Sequence, residues 1–239
     1  MDINIFLLCF NESALLPHTI KHYKKYLPSC KITIYDNEST DNSVEIAKEL
    51  GCYVISWSSD NCMDEFKQQE IKNNCWKSIK KGWIIIADMD ELLCVTEDNL
   101  MKELKLDTII LKVKGCDMIG ESETLNLSDI DLQEIKKYVD NPYENKNLCF
   151  LRENITEMNY NCGAHLCNPE GDNIKYSLIT YINKHMSSLG LQFLTNKYIQ
   201  RYNRSFNMRK YDMDIHYTQD IATIEKMYSD NINSCKLFE

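Results

Sequence analysis

Glycine is scarce in this chain, seven residues among 239, and none precedes Gly51. A dinucleotide-binding fingerprint needs clustered glycines where its first helix opens, so an oxidoreductase of that type is excluded. Paired cysteine motifs are also lacking. The eleven cysteines are odd in number and irregularly spaced, and no CxxC occurs, which argues for reduced thiols in a cytoplasmic setting rather than a disulfide framework. Cys162 and Cys167, near His165, are a single short pair and fit two buried thiols of a hairpin better than a zinc site. Positive charge is in deficit as well: a net charge of −9 and a pI near 5.1 repel a polyanion, so nucleic acid is not an expected partner. No apolar run approaches the length of a membrane span, and the opening MDINIFLLCFNESALL, acidic at its second residue, reads as a strand rather than a signal peptide. Internal repeats and low-complexity linkers are missing too.

At 44% hydrophobic the chain can bury one substantial core but not two large ones, so residues 1–239 are expected to form a single domain. Lysine far outnumbers arginine, and asparagine and isoleucine abound, a composition typical of an AT-rich microbe or a large DNA virus.

The pattern of the first half is regular. Asn4–Phe10 is an apolar strand, followed by a helix capped by Ser13 and ending near Tyr26, before Pro28. KITIYD (Lys31–Asp36) is a second strand, and Asn42 with Glu45 makes a capping pair for a helix that closes at Gly51. Cys52–Trp57 is a third strand, Asp64–Lys81 a helix closed by Gly82, and Trp83–Asp88 a fourth strand. Alternating strands and helices joined by short links predict an α/β fold, an open, mostly parallel sheet with helices on both faces. Beyond Leu92 the expected elements are a helix from Thr96 to Lys105, a strand Thr108–Cys116, a helix from Ser128 to Tyr138, a ribbon over Leu148–Asn161, and helices at Leu191–Tyr202 and Thr218–Ile232. The asparagines around Pro142 mark a loop.

Asn11 and Glu12 end the first strand, Asp36 the second, and Asp88 the fourth, with Asp90 and Glu91 beside it. In open α/β sheets ligands bind outside the carboxyl edge, near the point where strand order reverses. Two aspartates one residue apart at a strand end can share one hard cation, Mg²⁺ or Mn²⁺, and such an ion would let an acidic protein hold a diphosphate.

Three segments, CFNES (Cys9–Ser13), YDNESTDNS (Tyr35–Ser43) and ADMDELL (Ala87–Leu93), resemble the signature segments of family 2 glycosyltransferases of the GT-A fold, in order and over the first hundred residues. The resemblance implies a nucleotide-sugar-binding half, 1–95, and a smaller acceptor-side half, 96–239. It implies that Asp36 meets the base of a nucleotide sugar and that Phe10, Asn11 and Glu12 line the same pocket. Asp88 would face the ribose or a metal, Asp90 would bind the metal, and Lys72, Asn73 and Asn74 match a segment that faces the nucleotide. The later segments NCGAHLCNPEG, NKHMSSLG and IHYTQ look like a capsule-type branch. Members of the fold often recruit a late histidine as a metal ligand; His185 is the first candidate, then His165 and His216.

The implied reaction is metal-dependent transfer of a sugar from a nucleoside-diphosphate donor to a hydroxyl of a glycan, polysaccharide or glycoprotein. An inverting course needs a base near the acceptor, for which Glu157, His165 and Asp172 are candidates; a retaining course needs none. Arg201 and Arg204, with Arg209 and Lys210 following, could meet phosphate or an acidic acceptor sugar, but one solvated helix face explains Arg201 and Arg204 more simply, and His18 and His22 read as structural residues. A degenerate GT-A fold that only binds a sugar nucleotide or a partner is the alternative, and a sugar nucleotidyltransferase is the second, although CFNESALLPH lacks the glycine-rich basic loop of that class. A dehalogenase-type phosphatase fits worse, because its paired aspartates follow the first strand.

Overall fold

The computed structural model describes residues 1–238. Strands β1 (Ile3–Cys9), β2 (Lys31–Asp36), β3 (Tyr53–Ser56) and β4 (Trp83–Asp88) alternate with helices α1 (Leu16–Tyr26), α2 (Ser43–Glu49) and α3 (Glu65–Asn74). The strands lie parallel in the order β4-β1-β2-β3. The chain therefore steps one way from β1 through β3 and then returns to the far side of β1. Helices α1 and α2 pack against each other, and strand order reverses between β1 and β4. Both of those strands are buried almost throughout, which is why they read as continuous apolar runs without alternation.

The second half extends the same sheet with mixed pairing. It contributes β5 (Glu91–Cys94), α4 (Glu97–Lys105), β6 (Ile110–Ile119), β7 (Lys137–Asp140), β8 (Cys149–Leu151), β9 (Ile155–Glu157), β10 (Glu170–Gly171), β11 (Tyr176–Ser188), α5 (Leu191–Arg204), α6 (Ile221–Ser234) and β12 (Lys236–Leu237). Strand β8 sits antiparallel between β4 and β6, and β11 runs parallel to β6 and antiparallel to β5. A core of aliphatic residues from β1, β2 and β4, with Trp76 and Trp83, fills the space under the helices. Smaller clusters join Leu92, Met118 and Met186, and seat α5 against α6 through Leu194, Ile224 and Tyr228. Among the described residues no helix is long and apolar enough to cross a membrane.

Several local expectations change. Ser13 makes no cap: α1 starts at Leu16 with Pro17 in its first turn, and the Ser13 amide donates to Asp41 instead. Asn42 makes no side-chain cap either, because Asp41 takes both the amide and the hydroxyl of Ser43. Helix α3 stops at Asn74 rather than Lys81, where the chain turns inward to bury Trp76 against Phe150 and beneath the Arg152 guanidinium. No helix forms from Ser128 to Tyr138. Leu127 and Leu132 tuck into the second cluster and the segment ends as β7, so pairing with β6 outweighs local propensity. The ribbon expected over Leu148–Asn161 is two strands with different partners, β8 in the main sheet and β9 with β10. Thr96 does cap α4, with Asn99 completing a reciprocal pair, and Gly82 adopts φ +98 against the Asp2 carbonyl, where a Cβ would collide.

His22, on α1, ties the first half to the second. Its Nε2–H donates to the Leu93 carbonyl at 3.0 Å, and its Nδ1 accepts from the Gln133 amide at 3.1 Å. Both ring nitrogens are thus satisfied by the neutral form, and burial holds the imidazole down at about 4. An imidazole depressed in the folded state stabilises fully above its ordinary value near 6.5, and that contribution fades as pH falls toward 4. The shift is worth about 3 kcal/mol at most. Urea unfolding of wild type and His22→Gln between pH 7 and pH 4 should show the wild type losing more stability over this interval, by up to that amount.

Candidate active site

The carboxyl ends of β1, β2 and β4 are level: Leu8 pairs with Asp88 on one side and Tyr35 on the other, and Cys9 pairs with Asp36. The chain leaves β1 through Asn11, which adopts a left-handed φ of +53, a conformation asparagine tolerates better than most residues. Its Oδ1 accepts from the amides of Thr40, at 2.7 Å, and Asp41, at 3.3 Å, so Asn11 knits the loop after β1 to the loop after β2. Asp36 is 2% exposed; one oxygen accepts from the Ser39 amide at 3.0 Å, and Oδ1 has no partner among the described residues.

Outside this edge lies a cavity of about 880 Å³. Phe10, Asn37, Trp57 and Met63 wall one end; Asp88, Asp90, Asp117 and His185 wall the other; and α5 closes it from the side with Lys197, Arg201 and Arg204. Asp36 itself is buried and is not in the lining.

Asp88 and Asp90 flank the tight turn from β4 into β5. Lys72 of α3 pairs with Asp88 at 2.8 Å. Lys146, almost fully buried in the loop after β7, stands 2.7 Å from Glu91, 3.0 Å from Glu144 and 3.5 Å from Asp88. The Asp88 amide donates to Glu91 at 2.6 Å. Burial disfavours the charge on Asp88, but Lys72 and Lys146 outweigh it and hold the carboxyl low. Asp90 is 3% exposed and is paired by the Lys197 ammonium. Its Oδ2 also lies 3.3 Å from His185 Nε2, while His185 Nδ1 lies 2.6 Å from Asp117 Oδ1. Burial opposes the imidazolium, yet Asp90 and Asp117 overcome it and raise His185 well above the usual imidazole range, as Lys197 and His185 in turn hold Asp90 far down. Burial pushes Glu12 up to about 7 against the pull of Lys197.

The residues singled out in the sequence separate clearly. Phe10, Glu12, Lys72, Asp88, Asp90, His185, His165 and His216 line the cavity. Asn11 and Asp36 are outside the lining and hold the loop after β2 through Ser39, Thr40 and Asp41. Asn74 is exposed and donates to the Glu70 carbonyl of its own helix, and Asn73 is committed to the backbone of Tyr160. Glu157 is outside the lining, paired with Lys77 at 2.6 Å, and Asp172 lies in the turn beside β10. Arg201 and Arg204, read as a solvated face, instead point into the cavity. Sequence reasoning missed Lys146, Lys197, Asp117, Glu144 and Asn37. Of these only Lys197 left a trace, as the first of three cations at positions i, i+4 and i+7 of one helix.

Lys146 is the single cation within ion-pairing reach of Glu91 and Glu144 among the described residues, apart from the rim imidazole of His165 beside Glu144. Burial pushes Glu91 up to about 8 even beside this ammonium, so removing it chiefly leaves Glu144 as a buried carboxylate with only the rim imidazole of His165 within ion-pairing reach. Lys146→Met should therefore lose roughly 3–5 kcal/mol in denaturant unfolding, and adding Glu144→Gln should recover part of that loss.

No family model matches the chain. A stretch of 55 residues, 23% of the chain, is 31% identical to Protein RfbJ of Shigella flexneri, of which it covers 43%. The crystal structure of S. aureus TarS superposes on 98% of this chain and 43% of its own, with a TM-score of 0.50 and 10% identity. The structure of S. aureus TarS 1-349 in complex with UDP gives 0.47 at 10% identity, over 98% and 71% of the two chains. The chain thus spans less than half the length of RfbJ and of full TarS. Topology, switch point and superposition together establish the fold as an open α/β sheet of the GT-A type.

Proposed function

We propose that this chain is a glycosyltransferase that transfers a sugar from a nucleoside-diphosphate sugar to a hydroxyl of a glycan, polysaccharide or glycoprotein acceptor. The observation that carries the proposal is the convergence of Phe10 and Glu12 just after β1, Asn37 just after β2, Asp88 at the end of β4, Asp90 in the turn that follows and His185 of β11 around one cavity at the switch point. The aromatic and amide end suits a base and ribose. Asp36 Oδ1, buried and unpartnered, is an acceptor that a base N–H would satisfy if it reaches past the lining.

The donor chemistry at the other end fits a divalent cation. Asp88 and Asp90 offer hard oxygens, and His185 is aimed by Asp117 in the carboxylate–histidine arrangement that orients metal ligands. The 3.3 Å between Asp90 Oδ2 and His185 Nε2 is close to the spacing of neighbouring ligand atoms around an ion with bonds of about 2.1 Å. Among the described residues no three such side chains already meet at one point, and Lys197 stands on the same Asp90 oxygen. Asp88, Asp90 and, once its Nε2 proton is released, His185 would hold Mn²⁺ or Mg²⁺, which when bound supplies a Lewis acid for the leaving diphosphate. The protein's own part is to align the donor along the strand ends and to exclude water beneath α5. For an inverting course the base would come from the rim. His165 is placed there, its Nδ1–H donating to the Tyr143 carbonyl at 2.8 Å and leaving Nε2 to accept a proton, whereas Glu157 is remote.

The test is thermal melting with a panel of nucleotide sugars and Mn²⁺ or Mg²⁺, followed by assay of released nucleoside diphosphate. A cognate donor at a hundredfold over its dissociation constant should stabilise by about 2.7 kcal/mol, and Asp90→Asn should lose most of this. Protection without diphosphate release would instead make the chain a binding module, and the absence of protection by any nucleotide sugar would end the proposal.

A further inference from the structure

The inner face of α5 is more than a wall. Lys197, Arg201 and Arg204 fall at i, i+4 and i+7, so they stand in one row spanning about 10 Å along the helix axis. The two ends of the row are engaged. Lys197 is ion-paired with Asp90. Arg204 lies over the Phe10 ring, 3.2 Å from its centroid, and donates to Asn37 Oδ1 and to the Cys62 carbonyl at 3.1 Å. Arg201, between them, has no ion-pair partner among the described residues; its neighbours are the Tyr217 ring at 5.6 Å and Met63 Sδ at 4.0 Å. A half-buried guanidinium facing a cavity with no carboxylate at ion-pair distance, and with only the Met63 sulfur as a side-chain acceptor among the described residues, has N–H donors available to an anionic ligand.

The row runs from the cavity's aromatic end to its carboxylate end. A nucleoside diphosphate bound as proposed above would stretch over the same interval, base toward Phe10 and phosphates toward Asp90. Its diphosphate would meet Asp88 and Asp90 on one wall, so positive charge is needed on the other wall in addition to any divalent ion. Guanidinium is suited to that task through its planar pair of donors. Resting on that glycosyltransferase reading, we propose that Arg201 is the residue that receives the donor's diphosphate, and that Lys197 is the resident counter-ion of Asp90, passing to a phosphate oxygen when a divalent ion takes its place.

The experiment is isothermal titration of the full chain and of Arg201→Met, Arg201→Lys and Lys197→Met with four probes: Mn²⁺ alone, uridine, inorganic pyrophosphate, and UDP or GDP with Mn²⁺. Melting curves without ligand verify that each variant is folded. Arg201→Met should weaken pyrophosphate and nucleoside diphosphate roughly tenfold to a hundredfold, the loss of charge-assisted hydrogen bonds, while leaving uridine and Mn²⁺ unchanged. Arg201→Lys should recover part of the loss. Lys197→Met should tighten Mn²⁺ in the absence of nucleotide, because Asp90 is freed, and weaken the diphosphate. Equal binding of diphosphate by wild type and Arg201→Met, or a parallel loss of uridine, overturns the assignment of Arg201 while leaving the proposed function intact. Mn²⁺ affinity unchanged or weakened in Lys197→Met overturns the role of Lys197. If wild type binds neither pyrophosphate nor any nucleoside diphosphate, both readings fall together.

Discussion

The structure turns on the buried ammonium of Lys146. It stands among Glu91, Glu144 and Asp88, from two parts of the chain, and helps keep Glu144 and Asp88 ionised, while burial pushes Glu91 up to about 8 even beside it. Through Glu91, which accepts from the Asp88 amide, the same cluster sets the tight turn between β4 and β5. That turn is gripped elsewhere as well: the Thr19 hydroxyl donates to the Met89 carbonyl at 2.7 Å, and the Met186 amide to the Asp90 carbonyl at 2.7 Å. Asp88 and Asp90 are held from α1, β11 and the loop after β7 at once, and their direction into the cavity follows from that grip.

The cost of such an edge is electrostatic. A chain with net charge −9 gathers carboxylates at one point and compensates them locally, Lys72 and Lys146 on Asp88, Lys197 and His185 on Asp90. Each pairing keeps a buried carboxylate ionised, and so keeps a hard oxygen donor available. The cations come from α3, the loop after β7, α5 and β11, so folding of the second half is what makes the carboxylates of the first half tenable. The residue numbers that the family resemblance attaches to a nucleotide sugar are thus only part of a shell whose other members lie beyond residue 100.

The two halves were unequally legible. Strands β1 and β4, with Asp88 at the end of β4, were readable because a strand covered on both faces shows as an apolar run whose polar end lies next to it in the chain, and β2 because its buried and less buried residues alternate. The capping of α4 by Thr96 and the start of α5 at Leu191 rest on equally local signals. The helix expected after Ser128 failed because β6 offered a pairing partner that no local pattern announces, and α3 ended early because Trp76 found a buried place against Phe150. Strands β5 and β11 were not foreseen; β11, thirteen residues long, is the element that carries His185 to Asp90.

What the sequence determined by itself was the parallel half of the sheet and the identity of the acidic residues at its carboxyl edge, since strand periodicity and strand-end chemistry are encoded within a few neighbouring positions. Only the tertiary structure decided which charges meet them. Lys146 reaches Glu91 across 55 residues and Lys197 reaches Asp90 across 107, and no spacing rule operates over such distances. Arg201 and Arg204 show the difference most plainly: their spacing marks one face of a helix, but whether that face meets water or a cavity depends on where α5 packs, and packing is a property of the whole core.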